Sequence, residues 1–132
     1  MVGKITICFR FILAMLFIAA GIMHFASPTG YVAIVPDYLP APLLLVHLSG
    51  AAEILGGIAI LIPRLRKFAG WGLILLLLAV FPANIDAYQH GMIINGKPVP
   101  EWLLLLRLPL QAVFIFWVYT TCCRSSSTHS TA

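Results

Sequence analysis

Apolar residues occur in four nearly unbroken runs, residues 5–26, 43–62, 68–88 and 102–122, and polar residues collect between them. Each run has the roughly 20 residues that a helix needs to cross a bilayer core. None alternates with a period of two, and each is about twice the length of a barrel strand. The pattern predicts an all-α, antiparallel four-helix transmembrane bundle, with residues 1–124 as one membrane domain. Ser27-Pro28-Thr29-Gly30, Pro63 and the polar stretch 88–100 with Gly91, Asn95-Gly96 and Pro98 break the runs. The loop 28–42 reads as a short cap on the membrane surface, with Tyr31 and Tyr38 at headgroup level. Residues 125–132 are rich in Ser and Thr and read as a disordered tail. Lys4 and Arg10 precede the first apolar core as in a signal peptide, but no clean small-x-small cleavage site follows. The first run is therefore expected to stay as the first helix.

Composition sharpens this picture. Of 132 residues, 61% are hydrophobic and only 9% charged, against about 25% charged in a soluble domain. Mean hydropathy is +1.02. A water-soluble fold of this size is excluded. The net charge of +4 is no nucleic-acid signal, because most basic residues flank membrane segments. Lys4, Arg10, Arg64, Arg66, Lys67 and Arg124 fall on one side and Lys97 on the other. That asymmetry places both termini in the cytoplasm, in a multi-pass protein of the inner or plasma membrane.

The candidate chemistry centres on His47-Leu-Ser-Gly-Ala-Ala-Glu53-Ile-Leu-Gly-Gly57. Glu53 lies deep in an apolar run, where an acidic residue costs about 2.5–3.5 kcal/mol to insert and faces the bundle interior. Ser49, Gly50, Gly56 and Gly57 share its face and allow a second helix to approach. At about 1.5 Å per residue, Glu53 and Gln111 come near the midplane, with Arg107, His47 and Asn84 further out. Asp86 and His24 lie higher still. The polar residues of all four helices thus collect in the outer half. Arg107 is the expected ion-pair partner of Glu53. Pro82 and Pro109 remove helical hydrogen bonds and free the carbonyls of Leu78 and Leu105. The same residues read equally as pins that fix helix register. His24, His47, Glu53 and Asp86 lack the short spacing of a metal site. Cys8, Cys122 and Cys123 contain no C-x-x-C.

Several stretches resemble the short DoxX-like membrane proteins of the DoxX/DoxD/MauE group. They are Ala20-Gly-Ile-Met-His24-Phe, Tyr31 with Val35-Pro-Asp-Tyr-Leu-Pro40, Ser49-Gly-Ala-Ala-Glu53-Ile-Leu-Gly-Gly57, Val80-Phe-Pro-Ala-Asn84-Ile and Arg107-Leu-Pro-Leu-Gln111. The resemblance covers residues 11–119. It implies a four-helix bacterial-type membrane protein from a group that includes a thiosulfate:quinone oxidoreductase subunit and maturation proteins. The expected function is an accessory, non-catalytic subunit of a membrane redox system. Its outer pocket, formed by Glu53, Arg107, Asn84, Gln111 and His24, is expected to take a quinone headgroup or a small anion. Two alternatives stay open: an oxidoreductase acting directly, with Glu53 or His24 relaying protons, and an assembly protein without ligand.

Overall fold

In a computed structural model, which describes residues 2–94 and 96–124, the chain is almost entirely helical. The expected tail 125–132 and Asn95 lie outside the described residues. Helix α1 runs Val2–Ala26, α2 Pro28–Val32, α3 Pro42–Ala59, α4 Arg66–Ala79, α5 Phe81–His90 and α6 Glu101–Val118; Tyr119–Cys123 continues α6 as a π-helical turn. A two-residue ladder pairs β1, Ile93–Ile94, with β2, Lys97–Pro98, antiparallel. Helices 3–26, 42–59, 66–90 and 101–123 are long and apolar enough to cross a membrane. Many large apolar side chains remain exposed on the bundle, among them Phe68, Leu75, Trp102 and Phe116. This outward greasiness is what a multi-pass membrane protein presents to lipid.

Close contacts give the helix directions. Gly21 faces Gly50 and Ile54, while Gly57 faces Ala14 and Ile18, so α1 and α3 run antiparallel. Gly70 faces Cys122 and Cys123, while Asn84 reaches Gln111, so the third and fourth spans are antiparallel too. Phe17 with Phe114 and Arg10 with Thr121 set α1 against the fourth span in the same way. Residues 3–10 and 124 therefore share one end of the bundle with the 60–65 turn. The apolar core near that end includes Leu13, Phe17, Leu73 and Val118. Arg10, half-buried, donates from Nε and Nη2 to the Thr121 carbonyl, at 3.1 and 2.7 Å. Arg66 donates to the Ile60 carbonyl at 2.8 Å. Both guanidiniums thus satisfy carbonyls that the π turn and the end of α3 leave over.

Two expectations change. The third span is not one helix over 68–88. It breaks at Val80, and Pro82 opens the second half, where its missing N–H costs nothing. In the loop 28–42 the first part turns in over the bundle, while residues 37–42 are exposed. Its α2 turn folds inward, burying Gly30, Ile34 and Pro36. A Cβ on Gly30 would collide with the Ile93 carbonyl, so glycine is what lets the loop dock on β1. Ile34, Ala87, Met92 and Leu104 form a second small core there.

Candidate functional site

The polar residues that gather away from the shared end form the wall of one cavity. It measures about 630 Å³. His24 closes it from the end of α1, Tyr31 from α2, Ser49 and Glu53 from α3, Asn84 from α5 and Arg107 from α6. The rest of the lining is apolar, including Val46, Leu76 and Val80. Gln111 stands behind Asn84, outside the lining.

The α1–α3 approach builds the first part of this wall. Because Gly21 and Gly50 carry no Cβ, His24 and Glu53 come together. His24 Nδ1 lies 2.8 Å from the Ala20 carbonyl and 3.2 Å from Glu53 Oε2. A carbonyl only accepts, so Nδ1 carries the proton and donates to Ala20. Glu53 Oε2 is then at ion-pair distance from the ring without hydrogen-bond geometry, and the buried oxygen has no hydrogen-bond partner. Tyr31 stacks on the other side of the imidazole, with ring centroids 4.1 Å apart. Burial pushes the Tyr31 phenol above its ordinary range, opposed by the Arg107 charge, so it remains a neutral O–H donor.

The break in the third span builds the second part. Asn84 Nδ2 donates to Gln111 Oε1 at 2.5 Å, and Gln111 Nε2 donates to the Leu77 carbonyl. Gln111 thereby ties the kinked span to α6. The carbonyl that finds a side-chain donor is Leu77, one residue before the Leu78 expected from the proline. The π turn and Val80 break do not propagate to Pro109, which α6 absorbs without interruption.

Sequence reasoning places Glu53 against Arg107 as an ion pair, and the structure corrects this. Among the described residues, the carboxylates within 4.0 Å of a basic group are Glu53 with His24 and Asp86 with His90. Arg107 instead donates from Nη1 to Met92 Sδ at 3.1 Å. Both charges face the same cavity and act on each other across it. The depth estimate that put His24 well above Glu53 failed because it took the inner ends of the two helices as level; Gly57, near the end of α3, faces Ala14 and Ile18, so α1 starts well beyond α3 and the two residues come level. Tyr31, Ser49 and Met92 were missed. Tyr31 was placed at the headgroups, and nothing in the spacing signals the inward fold of α2. His47 stacks on Phe25 at 5.1 Å instead of joining the site. Among the described residues, no three His, Cys, Asp or Glu side chains group to hold a metal ion.

The family model for a domain of unknown function, DUF8561, matches residues 13–122, which contain every residue of this wall. No curated protein and no solved structure matches the chain.

Proposed function

The chain belongs to the DUF8561 family, and from the cavity enclosed within its matched segment we propose that it is an accessory subunit of a membrane redox system that holds a quinone-type headgroup. The observation that carries this reading is the cavity itself. Its apolar walls suit an isoprenoid or alkyl tail, and its polar wall suits a small ring with two oxygen substituents. Arg107 and Tyr31 supply donors for a ring oxygen. His24, stacked on Tyr31, and Glu53 stand beside them as proton-holding groups. The redox reading also draws on the similarity to DoxX-like proteins set out above. Orientation follows from charge. Lys4, Arg64, Arg66, Lys67 and Arg124 surround the shared end and Lys97 the other, so both termini belong in the cytoplasm and the cavity in the outer half of the plasma membrane.

The His24–Glu53 contact favours one second reading, direct oxidoreduction with that pair passing protons. Organic extraction of protein purified in mild detergent, followed by mass spectrometry, separates the readings. Near-stoichiometric quinone together with a copurifying partner supports the accessory role. Quinone without a partner, combined with turnover of the isolated chain, supports the direct one. Protein that neither retains nor rebinds any quinone removes both. Placing Lys97→Cys outside should make that position react with an impermeant maleimide in intact cells.

A further inference from the structure

The polar atoms that the cavity leaves unsatisfied are not spread around its wall. Among the described residues, three buried side-chain atoms have no hydrogen-bond partner: Ser49 Oγ, Glu53 Oε2 and Trp117 Nε1. Trp117 lies near the shared end of the bundle. Ser49 and Glu53 are one turn apart on one face of α3, and both line the cavity. Glu53 is 9% exposed, and its Oε2 is buried against the cavity. A buried acceptor without a donor is costly, and native structures rarely keep one without a reason.

The same wall borders a gap. Gly56 lets α3 meet Leu73 of α4 closely. Beyond that point α3 continues along α1 while α5, turned at Val80, packs on α6. Ala52 on α3 and Ala79 at the end of α4 are exposed and also line the cavity, so they form the two lips of the gap. Leu48, 57% exposed, extends the α3 lip. At the end towards the loops Tyr31 and the buried Ile34 and Pro36 line the cavity, with Leu39 exposed at its edge. The exposed lips are apolar and lie within spans that cross a membrane. The gap between these lips therefore faces lipid.

We propose that the cavity takes, laterally from the bilayer through the gap between α3 and the α4–α5 junction, an amphiphile with a hydroxyl headgroup of phenol or hydroquinone type, whose O–H donates to Glu53 Oε2. A headgroup with carbonyls alone has no proton to offer this acceptor. An anion would meet the Glu53 carboxylate. A hydroxyl supplies the donor, leaves its own oxygen free to accept from Arg107 or Tyr31, and keeps the ligand neutral for passage through lipid. The proposal rests on the cavity-binding reading above and adds which chemical form is preferred, the reduced one, and how it arrives.

The test uses the full chain in lipid nanodiscs with two probes, 4-nonylphenol and its methyl ether, which differ by the one donor. The phenol is expected to bind at least about tenfold tighter, since hydrogen bonds to charged groups are the stronger class. Glu53→Leu should bring the two probes within about twofold of each other. The pair Ala52→Trp and Ala79→Trp should weaken both probes and leave helical content unchanged. Equal affinity of the two probes for the unaltered protein overturns the hydroxyl assignment and leaves cavity binding standing. If neither probe nor a short-chain quinone binds, the proposed function falls with it. Unchanged affinity in the double tryptophan variant overturns lateral entry. The probe comparison needs no variant, so a misfolded Glu53→Leu protein does not spare the assignment.

Discussion

Replacing Gly21 by alanine tests the feature on which the wall depends. An added Cβ would lie 2.6 Å from the Gly50 carbonyl oxygen and 2.7 Å from Ile54 Cγ1. Ordinary C···O approaches are about 3.3 Å or longer. Favourable carbon–carbon contacts begin at about 3.5 Å. The helices must therefore part by about 0.7 Å, and the obstacle includes backbone, which cannot rotate away. Overpacking of this kind costs about 1–3 kcal/mol. The gain in helix propensity from Gly to Ala returns about 0.8–1 kcal/mol. A net loss of up to about 2 kcal/mol is expected. Gly72 is the control, because a Cβ there meets nothing within 4 Å. Gly72→Ala should be neutral or stabilising by up to about 1 kcal/mol. Reversible unfolding in mixed micelles, with the SDS fraction at the midpoint as readout, measures both. Ile54 is next to Glu53, so the same separation should also pull Glu53 away from His24. The reasoning fails if Gly21→Ala is as stable as Gly72→Ala.

Double-mutant cycles should give His24→Ala with Glu53→Gln a coupling above about 0.5 kcal/mol, and Glu53→Gln with Arg107→Gln a smaller one, because only the first pair is in contact. Gln111→Leu should cost about 1–2 kcal/mol by stranding Asn84 and the Leu77 carbonyl, and adding Asn84→Leu should recover part of that loss; a fully additive result would show that the two amides do not touch. Cys8 is exposed while Cys122 and Cys123 are buried against Gly70, so N-ethylmaleimide should add once to the folded protein and three times after denaturation, as read by intact mass.

The spans were legible because lipid demands long apolar runs, and residues 5–26 and 102–122 are predominantly apolar. The concentration of polar residues in one half was also legible, from Glu53, Arg107, Asn84 and Gln111 at comparable estimated depths. Partner choice was not. Depth along a helix says nothing about azimuth, so Arg107 and Glu53 were paired although Met92 and His24 are what they touch. The inward fold of residues 28–42 was hidden for a similar reason. Its apolar Ile34 and Val35 are too few to form a periodic signal; Ile34 finds burial against Ala87, Met92 and Leu104, and Val35 lines the cavity, all formed by distant parts of the chain.

The cavity borders two local features, a break in the third span and a close approach of α1 and α3. With an unbroken third span, α5 would continue beside α3 and fill the space that Leu76, Val80 and Asn84 now border. Pro82 makes the turn at Val80 inexpensive, but a proline alone does not choose a direction. Gln111 does, by holding the Leu77 carbonyl and Asn84 to α6 on either side of the break. On the opposite wall, Gly21, Gly50 and Gly57 draw α3 onto α1, away from α5. The two pairs of helices are each tightly joined and splay from Gly56–Leu73 outwards. That arrangement puts Glu53, a residue costly to bury, at the head of a space with apolar lips. A structural pin would need no such space, because Glu53 could serve that role against a closed interface. The open volume beside an unsatisfied carboxylate oxygen is the observation on which the proposed binding site, as against a pin, rests.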